Sequence, residues 1–198
     1  MLIYGVILAG GQGRRMGGAD KALLRLAGVP LVQHAADRLA PQVAALAVSA
    51  NGNPARLGWL GLPVLADAVA QGPLAGVLAA LDWAAAAGAD AVVSAAVDTP
   101  FFPGDLVPRL LLAAESSASG AAHAVCGGRA HPTFALWPVA LRDDLRGWLA
   151  AGEARLMGFA ARHGSAAAPF PPGEPDPFAN LNTADDLDRA EALLAARR

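Results

Sequence analysis

The chain has 198 residues, 55% of them hydrophobic, with 15 Lys and Arg against 17 Asp and Glu for a net charge of −2. That length suits one domain with a sizeable core, and the charge balance excludes a global basic field able to hold nucleic acid. No stretch reaches the ~20 strongly apolar residues of a membrane-spanning helix, and the lone cysteine, Cys126, excludes an internal disulfide or thiolate metal cluster and points to a reducing cytoplasm.

Leu2 to Ala9 is a short run rich in aliphatic and β-branched residues. It predicts a buried first strand and, with no basic leader before it, not a signal peptide. The next segment, Gly10 to Lys21, holds five glycines, two arginines and a lysine. Glycine lets backbone N–H groups approach a ligand with no Cβ in the way, and a concave row of them holds anionic oxygens. Arg14, Arg15 and Lys21 add full positive charge beside that row. Such a loop suits a polyphosphate; an incidental tight turn would need no cationic pair.

Two familiar phosphate loops do not fit. A Walker A loop needs Lys after its second glycine, and Ala19 follows Gly18 here. The dinucleotide fingerprint fits Gly11 and Gly13 but finds Met16 at its third glycine, and the second strand ends at Asn51 with no acid for a ribose.

A helix from about Pro30 to Leu39 follows, with Leu31, Ala35, Ala36 and Leu39 on one stripe. Ala44 to Ala50 predicts a second strand with Ser49 and Asn51 at its C-terminal end, the edge where open α/β sheets bind ligands. Asn51-Gly52-Asn53-Pro54 also reads simply as a turn. Leu62 to Ala66 predicts a short third strand ending at Asp67, and Gln71 to Gly76 starts a helix running to about Ala87. Ala91 to Val97 predicts a fourth, buried strand that ends at Asp98. A carboxylate there is costly unless something offsets its charge. A Mg²⁺ ion, which takes one or two carboxylates plus phosphates and water, would do so; a turn or cap is the other use.

A helix and small-residue loop then span Gly104 to Ser119, and strands are expected over Ala121–Cys126 and Thr133–Trp137. His131-Pro132 precedes the second of these and alone would make a turn. Helices are expected over Pro138–Leu149 and Ala154–Arg162, with Arg155 near the start of the latter. The five prolines between Pro169 and Pro177 predict an extended or mobile loop. Thr183, ahead of Asp185 and Asp186, predicts the N-cap of a last helix over Ala184–Ala196. Strands alternating with helices imply a mostly parallel three-layer α/β sheet.

The segments Leu8-Ala9-Gly10-Gly11, Gly13, Arg15-Met16-Gly17-Gly18 and Asp20-Lys21 fit a further loop pattern position by position. With Asp67, Gly72-Pro73-Leu74-Ala75-Gly76, Asp98-Thr99-Pro100, His131-Pro132 and Asn180-Leu181-Asn182-Thr183, the chain resembles the molybdenum cofactor guanylyltransferase family (MobA), of the GT-A-like nucleotidyltransferase type. These motifs run in family order over almost the whole chain. The resemblance implies a single Rossmann-like α/β/α domain over 1–198, its nucleotide-binding half about 1–104 and its acceptor-binding half about 105–198. It implies Mg²⁺-dependent transfer of GMP from GTP to the phosphate of Mo-molybdopterin. Nucleotide contacts would come from Leu8, Ala9, Gly10, Gly11, Gly13, Lys21, Ser49, Asn51, Asp67 and Asp98. Arg15, Lys21 and Asp98 would be catalytic, with Mg²⁺ on Asp98. His131, Arg155, Asn180 and Asn182 would face the acceptor. Where the family has Asn-x-Asn this chain has Ser49 and Asn51, and Ser reaches less far. Partners would be proteins that make the cofactor or deliver it to molybdoenzymes, with no nucleic acid and no membrane. Two alternatives stand beside this reading. One is a cytidylyltransferase or another nucleotidyltransferase of the same fold; the other is a non-catalytic nucleotide-binding protein that delivers the cofactor.

Overall fold

The computed structural model describes residues 1–10, 20–66 and 72–196. Its first strand, β1 (Ile3–Leu8), is apolar on both faces and sits inside the sheet. A two-residue hairpin, β2 (Arg25–Leu26) and β3 (Val29–Pro30), leads into helix α1 (Leu31–Leu39). Leu31, Val32, Ala35, Ala36 and Leu39 form the buried stripe of α1, the 3.6-residue spacing visible in the sequence. Strands β4 (Ala45–Ser49) and β5 (Val64–Leu65) come next, then helix α2 (Pro73–Ala86). Pro73 starts α2 where a missing N–H costs nothing. Strand β6 (Ala91–Ala96) is buried at every residue.

The second half adds helix α3 (Leu106–Ala114), strands β7 (Ala122–Cys126) and β8 (Arg129–Pro138), helices α4 (Arg142–Ala150) and α5 (Leu156–Arg162), strand β9 (Ala166–Phe170) and helix α6 (Ala184–Ala195). One seven-stranded sheet runs in the order β5-β4-β1-β6-β8-β7-β9. Neighbours pair in parallel except at β8, which is antiparallel to both β6 and β7. Helices α1, α3 and α6 pack on one face with Ile7, Val93, Phe134 and Leu136. Helices α2, α4 and α5 cover the other, with Val6, Leu8, Val92 and Trp137. The predicted three-layer, mostly parallel α/β sheet is the fold observed.

Two expectations need correction. The run expected to be loop from Pro169 begins as strand: Pro169 and Phe170 are the last two residues of β9. That strand pairs only with β7, so Pro169, exposed on an edge strand, interrupts no ladder on its free side. The following segment is anchored by Phe178, which is buried against Phe134 and Phe170. His131-Pro132 lies within β8 and not in a turn ahead of it; the turn is at Gly127-Gly128, where both residues take positive φ.

Candidate active site

Because β1, β4 and β6 are parallel, the residues after them reach the same sheet edge: Gly10 after β1, Ser49 and Asn51 at the end of β4, Asp98 after β6. Antiparallel β8 brings its N-terminal half to that edge. A cavity of about 220 Å³ opens there, lined among others by Leu8, Gly10, Lys21, Ser49, Gly76 and Asp98.

Lys21 is held by three elements distant in sequence. Asp20 accepts from Ala22 N–H and caps the short turn Lys21–Leu23. Asp20 also pairs with Arg56, whose other nitrogen donates to the Asn51 carbonyl at 2.8 Å. The Lys21 ammonium then donates to Asp98 Oδ2 at 3.0 Å and to Asn182 Oδ1. With side chains only 17% and 20% exposed, Lys21 and Asp98 form a partly desolvated pair, whose mutual Coulomb attraction is stronger than that of fully exposed charges. An ammonium has three donors; among the described residues two are engaged, which leaves one for an anionic ligand.

Asn180-Leu181-Asn182 is fastened over the end of β6. Leu181 N–H donates to the Asp98 carbonyl at 2.7 Å, and the Thr99 hydroxyl donates to Asn180 Oδ1 at 2.7 Å. The capping box of α6 holds the same segment from its other end: Asp186 Oδ2 accepts from Asn182 and Thr183 N–H, each at 3.0 Å, and the Thr183 hydroxyl accepts from Asp186 N–H. These bonds hold the Asp186 carboxyl below its ordinary range, the Thr183 contact first.

Asp98 Oδ1 meets only the Thr99 hydroxyl among the described residues, at a long 3.4 Å. No group of three or more His, Cys, Asp or Glu among the described residues could hold a metal by itself. One carboxylate with a lightly engaged oxygen, beside a cavity, fits Mg²⁺ shared with phosphates and water and does not fit a closed protein cage.

Lys21, Asp98 and Asn182 are thus brought together; Leu8, Gly10 and Ser49 line the cavity with Lys21 and Asp98, and buried Ala9 lies between Leu8 and Gly10. Asn180 touches Thr99 and not the cavity lining. His131 stacks on Phe178 with ring centroids 4.6 Å apart. Burial, and next the Arg129 cation, push its pKa down, against the pull of Asp176. Both effects favour the neutral imidazole. Arg155, 86% exposed and 4.0 Å from Glu153, does not line the cavity. Gly11, Gly13, Arg15 and Asp67 lie outside the described residues. Sequence reasoning missed the Asn182 contact with Lys21, 161 positions away, and Thr133, which also lines the cavity.

Among the described residues no helix is long and apolar enough to cross a membrane. Residues 5–167 match the family of the MobA-like NTP transferase domain. A Cereibacter sphaeroides protein named molybdenum cofactor guanylyltransferase is 64% identical over 194 residues, covering 98% of both chains. One of the same name from Rhodobacter capsulatus is 54% identical over 197 residues, covering 98% of this chain and 97% of that one. Among solved structures, molybdopterin-guanine dinucleotide biosynthesis protein A from Archaeoglobus fulgidus superposes with a TM-score of 0.75 at 23% identity, covering 98% of this chain and 99% of that one. The 2-C-methyl-D-erythritol 4-phosphate cytidylyltransferase from Thermus thermophilus gives 0.66 at 23% identity, over 96% and 98%. These two share the fold. With the sheet edge, the cavity and the Lys21–Asp98 pair, the matched length and the 64% identity place this chain in the family of MobA-like NTP transferases.

Proposed function

We propose that this chain transfers GMP from GTP to the terminal phosphate of Mo-molybdopterin, giving the guanine dinucleotide form of the cofactor and pyrophosphate. The Lys21 ammonium, held by Asp98 and Asn182 beside a cavity that Gly10 helps to line, is the observation that carries it. The guanine and pterin specificities are supported by the names of the 64% and 54% identical relatives.

An oxygen of the acceptor phosphate attacks the α-phosphorus of GTP. The bond from that phosphorus to the bridging oxygen breaks, and pyrophosphate leaves with the electron pair. The attacking oxygen is already anionic, so no strong general base is needed. The barrier lies in bringing two polyanions together and stabilising charge at the α-phosphorus; positioning and fixed charge meet it. Lys21 would place its remaining donor on the donor phosphates. Main-chain N–H groups of Gly10, Gly11 and Gly13, with the Arg15 side chain, would cradle the leaving group. Mg²⁺ on Asp98 would neutralise charge on the triphosphate.

Leu8, Ala9, Ser49, Asn51 and Asp67 would bind the nucleoside part, within a nucleotide half of about 1–104. His131, Arg155, Asn180 and Asn182 would face the acceptor in the half of about 105–198. A cytoplasmic site of action and protein partners in cofactor synthesis or delivery belong to the same proposal. The test is incubation with GTP, Mg²⁺ and Mo-molybdopterin, with pyrophosphate release and the dinucleotide product as readouts. A guanine dinucleotide is expected. A cytosine product from CTP instead would change the donor, and no product from any nucleotide would leave only binding.

A further inference from the structure

Strand β8 contains a break that aims one side chain at the cavity. His123 pairs with Ala135, but the next β7 residue, Ala124, pairs with His131. Pro132, Thr133 and Phe134 are therefore extra on β8. A register shift by an odd number of residues moves the following side chains to the other face of the sheet. The core contacts follow that rule. Ala135 and Trp137 pack on the α2 face, whereas His131, of the same parity, stacks on Phe178 on the opposite face. Proline lacks a ladder donor, and in an inner strand it is tolerated at such a bulge. Bulges beside active sites re-aim side chains. Here Thr133, half-buried, lines the cavity that also contains Lys21 and Asp98. Its hydroxyl has no hydrogen-bond partner among the described residues, in contrast to Thr99 and Thr183.

The sheet order decides which ligand it meets. Ser49 on β4 and Gly10 after β1 lie on one side of Asp98; β8 lies on the other. We propose that the Thr133 hydroxyl donates a hydrogen bond to the acceptor's phosphate monoester and holds the attacking oxygen on the far side of Asp98 from the nucleoside. This rests on the transfer reaction proposed above. Thr133 is a binding residue for the attacking group and moves no proton.

The test uses the whole chain with GTP, Mg²⁺ and Mo-molybdopterin. Thr133→Val keeps shape and β-branching but removes the donor; Thr133→Ser keeps the donor. Loss of a hydrogen bond to a charged group predicts an acceptor KM raised about tenfold or more in Thr133→Val. GTP affinity by calorimetry should be unchanged, and Thr133→Ser should stay within about threefold of the parent, a rescue that a packing role would not give. An unchanged acceptor KM in Thr133→Val, or GTP binding weakened as much as the acceptor KM is raised, overturns the proposal. Should Thr133→Val fail to fold, Thr133→Ala is read by the same two constants. No turnover by the parent chain would instead refute the transfer reaction itself.

Discussion

Gly76 sits in the first turns of α2 with no room for a side chain. A Cβ there would collide with Ser49 Oγ and stand 3.1 Å from both Ser49 Cβ and Leu8 Cδ2. Ser49 is 1% exposed and Leu8 9%, so neither can swing into solvent. Gly76→Ala must push α2 away from the ends of β1 and β4, which are walls of the cavity. Overpacking costs about 1–3 kcal/mol, and with a collision between buried groups the upper part of that range, about 2–3 kcal/mol, applies here. Replacing glycine within a helix by alanine returns about 1 kcal/mol. A net loss of about 1–2 kcal/mol should lower Tm by about 2–8 °C in a chain of this size. Thermal unfolding followed by circular dichroism reads this, and GTP affinity should fall with it. The double variant Ser49→Ala/Gly76→Ala removes the worst contact, so its loss should be about 1 kcal/mol less than the sum of the singles. An unchanged or raised Tm in Gly76→Ala, or strictly additive losses, would refute the close-packing argument.

Lys21→Ala should cut turnover by about 10²-fold or more, as the loss of one preorganised charge does. Lys21→Arg should not restore it, since a planar guanidinium cannot replace a compact ammonium between Asp98 and Asn182; steady-state kinetics of both variants decide. Asp186→Ala should destabilise the chain by about 1 kcal/mol through loss of the α6 capping box and should also slow turnover by freeing Asn182. The Asp186 pKa is depressed on folding, so its contribution is complete above the ordinary carboxylate pKa and is lost as pH falls through the folded value. Denaturation of parent and Asp186→Asn chains should therefore converge in acid and separate above about pH 4; a gap constant with pH would contradict this.

Regular elements were legible where the sequence carried its own period. The stripe Leu31 to Leu39, the valines of Ala91–Val97 and the Thr183 cap each rest on local chemistry, and each lies where expected. β9 was hidden because alanines and Pro169 carry little strand preference; its partner β7 and the buried Phe170 make the strand. The β8 bulge has no local mark except Pro132, which reads equally as a turn. Asp98 was legible as an acid ending a buried strand. That Lys21 meets it, and that Asn182 completes the contact, depends on pairings across 77 and 161 positions that only the closed sheet creates.

The most direct measurement is titration calorimetry of GTP, CTP and ATP against the parent chain and Asp98→Asn, with and without Mg²⁺. Mg²⁺-assisted binding of GTP in preference to CTP and ATP is expected for the parent, with the Mg²⁺ effect lost in Asp98→Asn. Equal binding of all three nucleotides, or a Mg²⁺ effect retained in Asp98→Asn, would contradict a guanylyl-transfer site built on Asp98.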